Sequence, residues 1–303
     1  MTPHPAGDVT RRISDRIRRI DISTRRLSTE AFHGGVQSRF RGRGMDFDEV
    51  REYEPGDDVR AIDWSATARA GHTFVKKYRE ERQLTVVFVV DMSASGSLGS
   101  GDSSKREQAV EMAGVLALSA VQSDHRIGLA LFTDTVEAFT PPARGRPHAF
   151  RIVHDLVAFE PQGRGTNLAV ALRFVRERLR RRAVVVILSD FLIGHADMQA
   201  ARAELRGLAQ KHDVVAIRLG DRLDRELPSV GLLTLEDAET GEVVEVDTGS
   251  APNRARLETI ARDVGERIRS FVRSAHVDLL EVDTLRPYLG PLIGFFRARG
   301  GRT

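Results

Sequence analysis

The sequence predicts an α/β protein with a doubly wound, mostly parallel sheet flanked by helices, preceded by a small N-terminal lobe. Apolar, β-branched segments such as LTVVFVV (84–90) and AVVVILSD (183–190) are typical of strands buried on both faces. Segments with helical apolar spacing alternate with these strands from residue 84 onward. The length of 303 residues, 41% of them hydrophobic, suffices for two domains. We expect an N-terminal region at 1–83 and the sheet domain at 84–303.

The first part of the chain is electrically polarised. Residues 10–43 contain ten arginines against three acidic residues, whereas residues 46–63 contain eight acidic residues against two arginines. Apolar residues recur at helical spacing from Ile13 to Leu27, so we expect an amphipathic basic helix that includes residues 11–26. A helix packed on its own protein is favoured. Docking on a membrane surface or an acidic partner stays open as the alternative.

The acidic stretch is predicted to be a small β-containing lobe, because Pro55-Gly56-Asp57 is a strong turn signal between short apolar segments. A solvated surface partly paired with Arg51, Arg60 and the arginines of residues 11–43 is favoured over an acidic docking face or a second cation site. The sole tryptophan is expected to be an anchor that packs the lobe onto the sheet domain rather than an exposed contact. The candidate docking residues are Asp46, Glu49, Asp57, Asp58, Asp63 and Trp64.

The sheet domain is predicted to alternate strands and helices. The expected elements are a strand at 84–90, a helix at 105–123, strands at 126–132 and 135–139, helices at 147–159 and 167–182, a strand at 183–190, a helix containing Leu205 and Leu208, a strand at 213–221, a hairpin insertion near 228–247, a helix spanning 257–271, a strand at 276–282 and a helix at 285–296. Because a doubly wound sheet binds its ligand beyond the carboxyl ends of its strands, we expect the functional site there.

Several function classes are excluded by what the sequence lacks. The absence of cysteine excludes thiolate zinc sites, iron–sulfur clusters and disulfides. The net charge of +3 gives little support for bulk nucleic-acid binding. The first twenty residues have no continuous apolar segment, and no apolar run is long enough for a membrane span, so we expect a cytoplasmic location.

Oxygen-bearing side chains follow two of the predicted strands. Asp91, Ser93 and Ser95 alternate after the first strand, Thr166 lies in a tight glycine turn that opens a helix, and Asp190 ends a later strand. Such oxygen donors suit a hard divalent cation, Mg²⁺ first and Mn²⁺ or Ca²⁺ as alternatives. We predict that the five converge at one sheet edge. The alternative is that Asp91 and Ser95 cap the following helix and satisfy loop amides without a metal.

These five residues resemble the metal-ion-dependent adhesion site of the von Willebrand factor A superfamily, with its D-x-S-x-S string, later threonine and later aspartate. The resemblance covers about residues 84–299 and implies that all five belong to the metal's first or second shell. Residues 39–82, which include RGRGMDFDEVREYEPGDDVRAIDWSATARAGHTFVKKYREER, look very like the signature of the bacterial domain of unknown function 58 family. In that family, this stretch precedes a von Willebrand factor A-like fold.

The resemblance implies an accessory protein rather than an enzyme. Proteins of this family are commonly associated with MoxR-type AAA+ ATPases, and in the superfamily an acidic residue of a partner completes the metal's coordination. We therefore expect a metal-dependent protein-binding module that assists protein-complex assembly or maturation. One alternative is a metal-dependent hydrolase using Asp91 and Asp190, although no base is evident. The other is an adaptor that binds anionic membranes or nucleic acid through residues 11–26.

Overall fold

The computed structural model of the protein describes residues 46–54, 57, 62–79, 83–239 and 241–300. These residues form two compact units, divided between Gln83 and Leu84. The basic helix predicted at 11–26 lies outside the described residues, as does Asp58. Within the described ranges, none of the helices combines the length and the apolar character needed to cross a membrane.

The smaller unit is built on a two-stranded antiparallel sheet. Strands β1 (Asp46–Glu52) and β2 (Phe74–Arg79) pair with a bulge between Phe47 and Glu49, and helix α1 (Trp64–Ala70) connects them. The predicted β-structure is therefore present. Helix α1 is not among the predicted elements, because its seven residues have no repeated apolar spacing.

The larger unit contains the central sheet. Its strands are β3 (Thr85–Asp91), β4 (Arg126–Phe132), β5 (Val136–Ala143), β6 (Val184–Ser189), β7 (Asp213–Gly220), β8 (Leu232–Glu236), β9 (Val243–Asp247) and β10 (Asp278–Asp283). Its helices are α2 (Lys105–Gln122), α3 (Arg146–Ala158), α4 (Leu168–Arg178), α5 (His195–Lys211), α6 (Ala251–Arg273) and α7 (Leu289–Gly300). The six-stranded order is β10-β7-β6-β3-β4-β5, with β5 antiparallel to β4 and the other pairs parallel. The predicted fold class is confirmed, and β8 and β9 form the predicted separate hairpin.

Several predicted boundaries are wrong, including the start of α6, which lies at Ala251 rather than at residue 257. Strand β5 continues past residue 139 to Ala143, because a register shift opposite β4 admits Pro141 and Pro142 at the sheet edge. Helix α4 ends at Arg178, because Leu179 is extended. Helix α7 begins at Leu289 rather than at residue 285, because a turn closed by Asp283 precedes it.

The core lies on both faces of the sheet. On one face Val87 and Ile187 belong to an apolar cluster with Leu172 of α4, and side chains from α5 and α6 complete it. Helix α2 is itself deeply buried, with Met112 and Leu116 without exposed surface. Each such side chain stabilises the fold by roughly 1.5–3 kcal/mol relative to an exposed one. This burial on two faces explains the unbroken apolar runs of β3 and β6.

The strand order reverses between β3 and β6. From β3 the chain extends the sheet through β4 to β5, and then returns to place β6 on the other side of β3. Val90 pairs with Leu188, so Asp91 and Ser189 end side by side. Crevices at such reversal points are where open α/β sheets bind ligands. The fold therefore brings the ends of two candidate-bearing strands together.

Candidate metal centre

Asp91 is buried at the end of β3, with 7% of its surface exposed. Its Oδ1 accepts a hydrogen bond from the Ser93 N–H (3.0 Å), and its Oδ2 accepts one from the Ser189 hydroxyl (2.6 Å). Burial, followed by the negative charge of Asp190, raises the pKa of Asp91 to about 6. The site therefore holds two buried carboxyl groups close enough to oppose each other's ionisation, and a nearby cation would relieve that opposition.

The two serines of the loop after β3 present their hydroxyls together. Ser93 is buried, and its Oγ lies 3.1 Å from the Oγ of Ser95. Neither Asp91 nor Ser95 caps α2. That role belongs to Ser104, which forms a capping box with Glu107. The helix-capping part of the metal-free interpretation is therefore wrong, whereas the Asp91 carboxylate does satisfy one loop amide.

The turn that contains Thr166 is joined directly to the loop after β3. The Ala94 N–H donates to the Arg164 carbonyl (2.9 Å). Asn167 caps α4 by accepting from the Val170 N–H (3.1 Å), which fixes the end of the turn. The Thr166 hydroxyl donates to Glu239 Oε1 (2.6 Å). Glu239 lies in the turn of the β8–β9 hairpin. Glu239 was not expected at this edge from the sequence.

Glu137 of β5 also holds the turn that contains Thr166. The Glu137 carboxylate accepts from the Gln162 N–H (2.7 Å), the Gly163 N–H (2.9 Å) and the Thr133 hydroxyl. Burial opposes the ionisation of Glu137, but these hydrogen bonds outweigh it and lower its pKa. Gly163 is required here, because a Cβ would lie 2.0 Å from Asp134 Oδ1.

Replacing Glu137 with glutamine is expected to loosen this turn and to lower the free energy of unfolding by about 1–3 kcal/mol. A neutral amide cannot accept well from all three donors, and hydrogen bonds to a charged group are the stronger kind. Thermal unfolding measures the loss, and hydrogen exchange at the Gly163 amide locates it. Glu160→Gln, an exposed carboxylate nearby, is the control. Equal stability and exchange in the two variants would contradict this role.

Asp190 lies directly after β6 and is paired with a lysine. Its Oδ1 accepts from the Leu192 N–H (3.0 Å), and its Oδ2 contacts Lys105 Nζ (2.8 Å). The following residue, Phe191, has a φ of 57°, which is costly for a bulky side chain and is typical of functional sites. Both carboxylate oxygens of Asp190 are therefore engaged. Because one of its oxygens is already paired with a buried ammonium, Asp190 would act on a cation by its charge rather than by direct ligation.

Lys105, the first residue of α2, is 1% exposed and also contacts Asp224 Oδ1 (3.1 Å). Burial disfavours its ammonium, but the charges of Asp190 and Asp224 outweigh this cost and raise the pKa of Lys105. Arg106 adds a second positive group, donating to the Ser93 carbonyl (2.6 Å). These two basic side chains therefore partly neutralise the negative charge of the predicted cation site.

A small cavity of about 10 Å³ lies among these side chains. Its lining includes Asp91, Ser93, Ser95, Lys105 and Asp190. Such a volume has the size of one water molecule or a small ion. Within the described residues no group of three or more His, Asp or Glu side chains forms a metal cluster. The residues therefore fit a hard cation held by Asp91 and the two hydroxyls, with few formal charges.

The structure brings four of the five predicted metal residues to one cavity. Thr166 is not among the residues that line it, although its turn is hydrogen-bonded to the same loop. Sequence reasoning missed Lys105, Glu137, Ser189 and Glu239. Lys105, Glu137 and Ser189 lie at or next to the end of a strand or helix. A search for polar residues at those positions would have found them. No local pattern marked Glu239.

Two of the candidate docking residues have roles within the smaller unit. Asp57 accepts from Arg51 (2.6 Å) and from the Glu54 N–H (2.9 Å), and the hydrogen bond from Arg51 is the main cause of its lowered pKa. Asp63 accepts from the Ala66 N–H (3.0 Å) and so caps α1. The predicted pairing of Arg51 within the acidic lobe is confirmed.

The remaining docking candidates are less constrained. Asp46 and Glu49 lie on β1, opposite Arg79 and Lys77 in register. Trp64 begins α1 and is 71% exposed, so its indole is not buried within the smaller unit, and its role as an anchor between the lobe and the sheet domain stays a prediction. Whether these residues bind a partner stays a prediction.

Comparisons with known proteins identify relatives without an assigned activity. The family described as "Protein of unknown function DUF58" matches residues 49–267. An uncharacterized protein of Mycobacterium tuberculosis (strain ATCC 25618 / H37Rv) is 33% identical over 288 residues, which cover 93% of this chain and 88% of the relative. An uncharacterized protein of Mycobacterium bovis has the same identity and coverage.

Two solved structures are similar over about three quarters of this chain. The match to the conserved hypothetical protein BatB from Bacteroides thetaiotaomicron covers 73% of this chain and 100% of the BatB chain, with 14% identity and a TM-score of 0.47. A von Willebrand factor type A protein from Catenulispora acidiphila covers 76% of this chain and 44% of its own, with 10% identity and a TM-score of 0.39. The fold class rests on the strand order and directions described above.

Proposed function

The chain belongs to the DUF58 family of proteins of unknown function, and we propose that it is a non-enzymatic protein-binding module whose docking site contains a divalent cation. Mg²⁺ is the first choice, with Mn²⁺ and Ca²⁺ as alternatives. The observation that carries the proposal is the cavity of about 10 Å³ at the β3–β6 reversal point, lined by Asp91, Ser93, Ser95 and Asp190. Hydroxyl and carboxylate oxygens in so small a space are suited to one hard cation.

The partner is proposed to supply an acidic residue. Bound at this site, the cation would provide a concentrated positive charge at the end of the sheet. Asp91 contributes the one carboxylate free of a lysine contact, while the hydroxyls of Ser93 and Ser95 add no charge. Because Lys105 offsets Asp190, much of the cation's charge stays available to a carboxylate from outside. Thr166 would orient that carboxylate from the neighbouring turn.

We further propose that the partner is a MoxR-type AAA+ ATPase, which this protein assists in protein-complex assembly or maturation. The support is the resemblance of residues 39–82 to the family signature, together with a site whose chemistry selects an acidic side chain. A cytoplasmic location belongs to the same proposal.

A hydrolase is the less favoured function. Substrate pockets usually measure roughly 300–1,000 Å³, whereas the cavity between Asp91 and Asp190 is about 10 Å³. Both carboxylates are also engaged by hydrogen bonds within the protein. The geometry thus favours a single ion over a substrate.

Replacing Asp91 with asparagine is expected to weaken Mg²⁺ binding by more than about tenfold and to abolish Mg²⁺-dependent binding of the ATPase. The asparagine can accept from the Ser93 N–H and donate to the Ser189 hydroxyl, so the fold should be retained. Calorimetric titration with Mg²⁺ measures the metal affinity. Surface plasmon resonance with the purified ATPase, in Mg²⁺ and then in EDTA, measures docking.

Asp263→Asn, which removes an exposed carboxylate on α6, is the control and should leave both measurements unchanged. If wild type and Asp91→Asn bind Mg²⁺ with the same affinity, the metal site is refuted. If Mg²⁺ binding depends on Asp91 but the ATPase binds equally in EDTA, the metal site stands and its role in docking is refuted.

A further inference from the structure

The turn of the β8–β9 hairpin reaches the candidate metal centre. Glu239 Oε1 accepts from the Thr166 hydroxyl (2.6 Å). Its Oε2 lies 3.9 Å from the position of a Cβ built on Gly165, so the carboxylate lies over the turn. Glu239 and Asp190 are also close enough to interact electrostatically. Glu239 does not line the small cavity itself, but its carboxylate lies beside Thr166, the residue proposed above to orient an outside acid.

The hairpin is anchored at its base. The Thr248 hydroxyl donates to the Gly231 carbonyl (2.7 Å), and the Arg254 guanidinium donates to the Gly249 carbonyl (2.9 Å). In contrast, Leu232 and Val243 on the strands are more than half exposed. A two-stranded hairpin with so little apolar burial is marginally stable by itself. The hydrogen bond to Thr166 is therefore one contact that holds the tip against the turn.

We infer that Glu239 is an internal carboxylate ligand for the proposed cation site, and that the hairpin competes with the acidic residue of a partner. This inference rests on the proposed function. A tethered group of this kind has an effective concentration in the millimolar range, which a partner has to overcome by additional contacts. The hairpin thereby limits docking to partners that also bind elsewhere on this surface.

The test uses Mn²⁺ alone and acetate as the simplest outside carboxylate. In the full chain, Glu239→Gln is expected to weaken Mn²⁺ affinity by up to about tenfold, because one carboxylate is lost. It should also increase the water-proton relaxation caused by bound Mn²⁺, because a position opens to water. Acetate should reverse that increase in the variant and have little effect on the wild type.

Glu236→Gln, on the exposed strand of the same hairpin, is the matched control and should behave as the wild type. Without metal, hydrogen exchange in the turn that contains Thr166 should be faster in Glu239→Gln than in Glu236→Gln, since only the former replaces the charged acceptor of the Thr166 hydroxyl with a weaker, neutral one. Asp91→Asn separates the two proposals. If Mn²⁺ binds in an Asp91-dependent manner but Glu239→Gln matches wild type in affinity, relaxation and acetate response, only the inference about Glu239 is overturned. If wild type binds no Mn²⁺, both are overturned.

Discussion

Replacing Lys105 with methionine is expected to lower the free energy of unfolding by about 3–5 kcal/mol in the absence of divalent cations. The ammonium contacts Asp190 at 2.8 Å and Asp224 at 3.1 Å, and the side chains of all three residues are at least nine-tenths buried. Methionine fills a similar volume but leaves two buried carboxylates without their cation. Chemical denaturation at neutral pH measures the change.

A divalent cation should partly restore the stability of Lys105→Met, because Asp190 is then free to bind it directly. Lys211→Met provides the control, as it removes an exposed lysine from the last turn of α5. A loss in Lys105→Met no greater than that of the control would refute the importance of the buried ammonium. Full stability loss without any restoration by Mg²⁺ would show that the released carboxylates do not bind the cation.

Asp221, directly after β7, is expected to be the second most sensitive position. Its Oδ2 accepts from the Ser100 N–H (2.8 Å), the Ser100 hydroxyl (3.0 Å) and the Thr284 hydroxyl, and its Oδ1 accepts from the Leu223 N–H (2.9 Å). Asp221 has no exposed surface. Burial opposes its ionisation, but the hydrogen bonds outweigh burial and lower its pKa to about 2. The ionised carboxylate therefore joins three separate loops.

Asp221→Asn is expected to lower the free energy of unfolding by about 2 kcal/mol at neutral pH, the value that corresponds to the lowered pKa. The lowered pKa stabilises the fold at pH values above 3.8, the ordinary pKa of an aspartate. This contribution is lost as the pH falls toward about 2. The difference between wild type and variant should therefore be constant at neutral pH and shrink between about pH 4 and pH 2.

Denaturation across this pH range tests the prediction, with Asp263→Asn as the exposed control. A stability difference that stays unchanged down to pH 2 would mean that the effect of Asp221→Asn is steric rather than electrostatic. A difference as small as that of the control would show that the carboxylate does not join the loops.

The order of the strands and helices from residue 84 onward was predictable, because β3, β4, β6 and β7 are buried and leave a clear apolar signal. The boundaries that failed depend on weaker signals. At β5 the register shift that admits Pro141 is set by the neighbouring strand, and at α4 the helix stops within a continuous helical pattern. These features depend on tertiary contacts that a local pattern does not contain.

The candidate site was predictable to the extent that its residues follow strands. Asp91 and Asp190 lie at the ends of adjacent parallel strands, so the fold class alone brings them to one edge. Lys105 and Glu239 are different, since their contacts span 85 and 73 residues of sequence. Nothing local in the hairpin turn indicates that it meets Thr166. The sequence therefore marks Lys105 only as a polar residue at a helix start, and it gives no sign of the contact made by Glu239.

The edge strand β5 is poorly suited to pairing with a strand from another chain. Pro141 and Pro142 lack amide hydrogens, and they lie where the register with β4 shifts. An incoming extended peptide would find this rim interrupted, because it cannot form a continuous ladder of main-chain hydrogen bonds there. Recognition by strand addition is thus disfavoured at this side of the sheet. Selectivity would then depend on side-chain chemistry at the strand ends, where a single substitution in a partner can abolish binding.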